Sequence, residues 1–178
     1  GRMADILKSS NSNQDLSMTI SLSGNNVFQS GNNSSAYTIL NSGNGSIGIR
    51  GYDGQDALDQ IKTAAVKSML DRQYQDVFKQ TYTDVVKTSQ ANHELFSASV
   101  TGANLNTIFS PNPVSQSMNM IARTIAARSA LGQNRQVFFV DYPGWDHHDE
   151  LLNSQAAMLE VVNKALGEFY SALTELGL

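Results

Sequence analysis

The stretch that decides the fold reads Gln136-Val137-Phe138-Phe139-Val140-Asp141, followed by Tyr142-Pro143-Gly144-Trp145. The first six residues form a short continuous run of β-branched and aromatic side chains. Such a run predicts a strand that is covered on both faces and therefore paired in parallel. Pro143 and Gly144 are turn residues, so the strand is expected to end before them.

A long amphipathic helix is predicted after this turn. Large apolar side chains recur at spacings of three and four, which is the periodicity of one helix face over about seven turns. The residues are Leu152, Leu159, Val162, Leu166, Phe169, Leu173 and Leu176. Strand, turn and helix make half of a βαβ unit, and a parallel sheet requires a further strand. We therefore expect the chain to be a piece of a longer protein.

Residues 1–54 differ in composition from the rest, since 27 of these 54 are Gly, Asn or Ser and only six are charged. This composition favours short extended segments joined by turns. Residues 16–22 alternate apolar and polar side chains, which predicts a half-buried strand. Residues 36–40 and 46–49 flank an Asn-Gly pair at Asn44 and Gly45, which predicts a β-hairpin. We expect a small β layer here.

Residues 55–132 have a helical pattern. Asp56 is a candidate N-cap for a first helix, whose apolar face would contain Leu58, Ile61, Ala65 and Leu70. A second helix is predicted over 81–100. A third runs from Pro113 in its first turn to about Leu131, with Gly132 as the C-cap. Together with 133–178, these segments form one helix-rich α/β domain.

Composition excludes several classes of partner. A chain of 178 residues is long enough for one domain with a core. Its net charge is -4 and its basic residues are scattered singly, so we predict no nucleic-acid partner. No apolar stretch has the length of a membrane span. The absence of cysteine excludes disulfides and thiolate metal sites.

The residues that can perform chemistry cluster in the turn at 141–150. In open α/β sheets, ligands bind beyond the carboxyl ends of the strands, and this turn has that position. It contains four carboxylates and two imidazoles: Asp141, Asp146, His147, His148, Asp149 and Glu150. Oxygen and nitrogen donors of this kind hold Zn²⁺, Mn²⁺ or Mg²⁺, and such a cation can activate water or polarise a phosphoryl or sulfuryl oxygen.

A structural interpretation of the same residues is also available. Asp146 and Asp149 are good helix N-caps, and acidic residues in a first turn are favoured by the helix dipole. His147 and His148 would then be solvated loop residues. A metal site normally needs three or four ligands, which an Asp-x-His step does not supply by itself.

Other motifs point less clearly to a site. Residues 43–48 match the dinucleotide pattern G-x-G-x-x-G, but Gly51 and Gly54 follow in place of the helix that would bind the phosphates. His93 stands alone on a predicted helix, where a packing or surface role is the usual one. Neither a G-x-S-x-G nor an H-E-x-x-H motif occurs, so the sequence contains no self-contained hydrolase triad.

Three stretches together resemble one protein family. They are residues 1–7, residues 18–31 with Gly24-Asn25-Asn26-Val27, and Gly144-Trp145-Asp146-His147-His148 with the helix to Gly177. They are similar to domain of unknown function 1501. This family consists of bacterial proteins, many with twin-arginine export signals, that are labelled sulfatase-like and related to the alkaline phosphatase superfamily. The similarity spans nearly the whole chain.

The resemblance implies a fold, a location and a pair of metal ligands. The fold would be an incomplete alkaline-phosphatase-like α/β/α sandwich with a hairpin layer and a helical insertion, in an exported or periplasmic protein. Asp146 and His148 would bind a divalent metal, Zn²⁺, Mn²⁺, Mg²⁺ or Ca²⁺. His147 stands where relatives often have Thr. The family's Ser-x-Phe-Gly-Arg-Thr and Asp-His motifs are not in this sequence, so further ligands and any nucleophile would lie elsewhere.

Two functions follow from these observations. In the first, the parent protein is a metal-dependent hydrolase of sulfate or phosphate esters, small molecules or glycans, and this segment alone is inactive. In the second, the protein is a non-catalytic exported binding or assembly protein. Residues 55–132 would then be a helical interaction platform, and the Asp-His turn would only cap a helix.

Overall fold

The computed structural model describes all residues, 1–178, and contains six α-helices and three short strands. In chain order the elements are α1 (Arg2–Leu7), a 3₁₀ turn (Lys8–Ser10), β1 (Thr19–Ser21), β2 (Tyr37–Thr38), α2 (Ala57–Asp71), α3 (Val77–Thr101), α4 (Pro113–Ala126), α5 (Arg128–Leu131), β3 (Val137–Phe139) and α6 (Leu151–Glu175). The protein is therefore a helix-rich α/β structure.

The three strands form one parallel sheet in the order β2-β1-β3. Ile20 of β1 lies between Tyr37 of β2 and Phe138 of β3. The strand predicted within 136–141 is present at Val137–Phe139, and its parallel pairing is confirmed. Its residues are only half-buried, in contrast to the expected cover on both faces, because β3 lies at the edge of the sheet.

The strand predicted within 16–22 is present, but the prediction that it is half-buried is wrong. All three residues of β1 are buried, because β1 is the central strand and both of its faces are covered. Ile20 joins the helical core on one face. On the other face, the Thr19 hydroxyl donates to the carbonyl of Ser35, and Phe28 stacks on Phe139 with ring centroids 6.0 Å apart. Residues 24–35 therefore cover the sheet as a loop.

The hydrophobic core lies between the sheet and helices α3, α4 and α5. Its buried members come from these elements, from the junction of α4 and α5 and from the segments that flank β1 and β2: Leu16, Ile20, Ile39, Phe96, Val100, Met120, Ala127 and Leu131. Burial of one such side chain contributes about 1.5–3 kcal/mol. This core positions β1 and β3, and thus the loop that follows β3.

The predicted hairpin at 36–49 is wrong. β2 pairs in parallel with β1, and residues 46–49 form no strand. The turn itself exists, since the amide of Leu40 donates to the carbonyl of Gly45. Gly45 has φ +78°, and a Cβ there would meet the Met120 sulfur at 2.8 Å and the Phe96 ring at 3.0 Å. The chain therefore packs against the helices after the turn, and it does not return along the sheet.

The three helices predicted within 55–132 are present, but some of their ends differ from the predicted ones. Asp56 caps α2, as expected, by accepting from the amide of Asp59. Helix α3 begins at Val77, four residues before the predicted start, because Asp76 provides an N-cap. The third predicted helix is divided at Ala127 into α4 and α5, and Gly132 ends α5 with φ +67°. The apolar face of α2 is not packed against the core.

Helix α6 has the predicted length of about seven turns, and it packs along α4. Its small residues Ala165 and Ala172 are fully buried. The predicted apolar stripe lies to one side of this contact, with Leu152, Leu159 and Leu166 exposed by 82%, 50% and 51%. No helix in the structure combines the length and the apolar character that a membrane crossing requires.

Candidate metal centre

The loop of residues 140–150 continues from the carboxyl end of β3 and leads to α6. Its first part is tied to the segment that follows β1, because the amide of Asp141 donates to Ser23 Oγ at 2.8 Å. The loop thus occupies the edge of the sheet where ligands bind in α/β proteins.

Contacts within the loop hold its middle in one conformation. The indole Nε1 of Trp145 donates to the carbonyl of Tyr142 at 2.6 Å. The two rings meet edge to face, with centroids 5.9 Å apart and an interplanar angle of 89°. Gly144 has φ +100°, a backbone conformation that favours glycine. The amide of His147 donates to the carbonyl of Trp145. Asp146 and His148, which follow these contacts, have almost fully exposed side chains.

The structure brings the two predicted metal ligands together. His148 Nε2 lies 3.2 Å from Asp146 Oδ2, and the side chains are 84% and 90% exposed. Metal bonds of 2.0–2.1 Å place two ligands of a tetrahedral centre about 3.4 Å apart, and those of an octahedral centre about 3.0 Å apart. The observed separation lies between these values. The same separation is that of a direct imidazole–carboxylate ion pair, and it leaves one carboxylate oxygen and one imidazole nitrogen close enough to share a cation.

The pair supplies only two donors. No group of three or more His, Cys, Asp or Glu side chains converges anywhere in the chain. Asp141, Asp149 and Glu150 belong to the same loop but do not join the pair. Since zinc centres use three or four protein ligands, Asp146 and His148 match part of such a centre in chemistry and spacing.

The helix-capping alternative is wrong. Helix α6 begins at Leu151, and its N-cap residue is Glu150, which makes no capping hydrogen bond through its side chain. Glu150 has φ +49°, a left-handed conformation that costs a non-glycine residue about 1–2 kcal/mol. Asp146 lies too far before the helix to cap it. The position of this carboxylate is therefore not explained by stabilisation of α6.

The two histidines have different environments. His148 is exposed, as the structural interpretation expected. His147 is half-buried, and its Nε2 is enclosed without a hydrogen-bond partner. The family resemblance singled out His148 through the Asp-x-His step and set His147 apart. In the structure only His148 faces Asp146, so the Asp-x-His spacing selects the residue that completes the pair.

Lowered carboxyl pKa values occur where carboxylates bind loop amides. Hydrogen bonds from Asn106 and Thr107 lower the pKa of Glu175. Desolvation alone would raise the pKa of Glu168, but hydrogen bonds, chiefly from Ser110, outweigh it and leave the pKa lowered. Both glutamates belong to α6 and attach it to the segment between α3 and α4. Their role is to hold the helix in place.

Sequence reasoning missed a second cluster of polar side chains. His93 is not isolated, because its Nδ1 lies 2.9 Å from Ser46 Oγ, which is 2.6 Å from the hydroxyl of Tyr37. These residues are distant in the sequence, so no spacing could have indicated the contact. No carboxylate hydrogen-bonds to His93. The cluster ties residues 41–49 to α3, and it is not a catalytic triad.

Comparison with known proteins adds a family assignment. No curated protein and no solved structure matches the chain. One family profile, described as Protein of unknown function (DUF1501), matches residues 21–178. This match begins at the last residue of β1 and covers the Gly24-Asn25-Asn26 turn, the Asp146–His148 loop and all of α6. The chain therefore belongs to the DUF1501 family of proteins of unknown function.

Proposed function

We propose that this chain contributes Asp146 and His148 to the divalent-metal centre of a hydrolase that acts on sulfate or phosphate esters. The observation that carries the proposal is the 3.2 Å separation of Asp146 Oδ2 and His148 Nε2 at the carboxyl edge of a parallel sheet. The complete fold would be an alkaline-phosphatase-like α/β/α sandwich. The proposed export to the periplasm rests on the family resemblance.

The chemistry of the pair supports a metal role. Carboxylate oxygen and imidazole nitrogen are ligands for Zn²⁺ and Mn²⁺. A site that contains a larger number of oxygen ligands favours Mg²⁺ and Ca²⁺. A cation bound there would activate water or polarise the ester oxygen. Since only two donors converge, the remaining ligands and any nucleophile would come from outside these 178 residues. This chain alone is therefore proposed to bind metal weakly and to have no turnover.

Isothermal titration of the chain with Zn²⁺ and Mn²⁺ tests the proposal. Asp146→Asn and His148→Ala should each weaken binding by about tenfold or more, because each removes one of two ligands. Asp149→Asn is the matched control, since it removes a carboxylate from the same loop that does not join the pair. Equal metal binding by all variants would rule out the assignment of these two ligands.

A second candidate function is a non-catalytic assembly protein with residues 55–132 as its interaction platform. The exposed apolar side chains of α2 and α3 favour it: Leu58, Ile61, Val77, Phe78, Tyr82 and Val85. Contiguous exposed apolar surface is typical of protein interaction sites. Under this function, Phe78→Ser would abolish association with a partner while Asp146→Asn would leave it unchanged, as measured by co-purification from the native host.

A further inference from the structure

A groove lies between α3 and the segments that lead into β1 and β2. Its volume of about 470 Å³ is in the range of small-molecule sites. Helix α3 lines one side from Thr81 to Asn92, which is three helical turns. Residues of the 15–17 and 35–37 segments line the other side. This groove is distant in the sequence from the Asp146–His148 loop and shares no residue with it.

Asn92 lines the groove with an unpartnered amide oxygen. The residue is only 9% exposed. Its Nδ2 donates to the main-chain carbonyl of Asp15 at 3.0 Å, which fixes the orientation of the side chain. Its Oδ1 accepts no hydrogen bond within the chain and is not enclosed by protein atoms, so it opens to the groove. A ligand that donates a hydrogen bond here would satisfy a polar group that is otherwise nine-tenths buried.

The charge of the groove selects a cation. The carboxylates of Asp15 and Asp84 line it, and no Lys, Arg or His does. Neither carboxylate takes part in an ion pair of the chain. Asp84 accepts one hydrogen bond, from Gln80. A positively charged ligand that donates hydrogen bonds therefore complements both the carboxylates and the Asn92 oxygen.

The length of the groove selects an extended ligand. Asp84 and Asn92 are eight residues apart on one face of α3, so they are separated by about 12 Å along the helix axis. One compact ammonium group cannot reach both. Val85 and the ring of Tyr37 line the same groove and offer apolar surface to methylene groups. A peptide fits less well, because its carbonyl groups need donors and the groove contains no cationic side chain to provide them.

We propose that this groove binds a linear aliphatic polyamine. One ammonium group lies at Asp84, another lies at Asn92 and Asp15, and the methylene groups between them pack on Val85 and Tyr37. The site goes beyond the proposed hydrolase function and needs no metal. Because the ligand would connect α3 to the segment before β1, its binding should also raise the thermal unfolding midpoint of the chain.

Isothermal titration of the chain with spermidine at low ionic strength tests this proposal. Spermidine should bind saturably with one molecule per chain. Butylamine, which has a single ammonium group, should bind at least about tenfold more weakly, since it reaches only one end of the groove. The acetylated and amidated peptide Lys-Gly-Gly-Lys carries two ammonium groups on a peptide backbone. Tighter binding of this peptide than of spermidine would contradict the polyamine assignment, and the absence of saturable spermidine binding would overturn the site.

Variants separate the groove from general attraction by the net charge of -4. Asp84→Asn and Asp15→Asn should each weaken spermidine binding by about threefold to fivefold, the modest contribution of an exposed ion pair. Val85→Lys places a cation in the groove and should abolish measurable binding. Glu160→Gln makes the same charge change at an exposed position of α6 and should leave the affinity unchanged. Equal weakening by Glu160→Gln and by the two aspartate variants would overturn the proposal.

Discussion

Helices α4 and α6 pack against each other, but they are stabilised in different ways. Helix α4 begins with Asn112, whose Oδ1 accepts from the amide of Ser115, and with Pro113 in its first turn. Seven of its 14 residues are buried. Helix α6 begins at Leu151, its N-cap residue Glu150 makes no side-chain capping hydrogen bond, and only two of its 25 residues are buried.

The difference shows which part of the molecule is scaffold and which part is open to a ligand. Helix α4 lies in the core and supports the sheet. Helix α6 is held through its C-terminal half, by Ala165 and Ala172 against α4 and by Glu168 and Glu175, which bind the segment between α3 and α4. Its N-terminal half and the Asp146–His148 loop remain exposed. The candidate site therefore lies in a part of the molecule with little buried surface.

Overpacking the contact between α6 and α4 should cause the largest loss of stability. Ala165→Leu introduces a larger side chain into a fully buried position, which should reduce the free energy of unfolding by about 1–3 kcal/mol. Ala156→Leu is the same change in the exposed half of the helix and should stay within about 0.5 kcal/mol. Urea denaturation measures both. Equal destabilisation would mean that the two halves of α6 are packed alike.

Substitutions at the N-termini of α4 and α6 should show a smaller difference in the free energy of unfolding. Asn112→Ala removes the cap of α4 and should reduce the free energy of unfolding by about 1 kcal/mol. Asp146→Ala should change it by less than about 0.5 kcal/mol, since this side chain is exposed and caps no helix. A loss near 1 kcal/mol for Asp146→Ala in urea denaturation would restore the capping interpretation.

Acid sensitivity of the α6 anchor is the smallest expected effect. The pKa of Glu175 is below its ordinary value of 4.5 in the folded chain. Its stabilising contribution is therefore fully present above that value and is lost as the pH falls through the folded pKa. Glu175→Gln should reduce the difference between the urea midpoints at pH 7 and pH 3. Glu160→Gln changes an exposed glutamate of the same helix and should leave that difference intact.

Much of the fold could be predicted from local sequence. Asp56, Pro113 and Gly132 act within one helical turn, and the helices they begin or end were recognised. The parallel strand at 137–139 was recognised because its apolar run is continuous. The hairpin was not predictable, because burial of Gly45 against Met120 and Phe96 is a tertiary contact that outweighs the local turn preference.

The residues of the candidate site could be predicted from the sequence, but their arrangement in space could be predicted only in part. The Asp-x-His step identified Asp146 and His148, and the structure places their side chains together. The fixed position of Trp145 depends on the backbone carbonyl of Tyr142 and on the φ of Gly144, which a residue pattern does not encode. Contacts between distant segments, such as the one between Ser46 and His93, could not be predicted from the periodicity of the sequence either.

Anomalous scattering at the zinc edge, from crystals of the chain soaked in Zn²⁺, tests the central claim most directly. A peak within about 2.0–2.2 Å of both Asp146 Oδ2 and His148 Nε2 is the predicted result. A zinc peak at His93 or at another carboxylate, with none between Asp146 and His148, would contradict it.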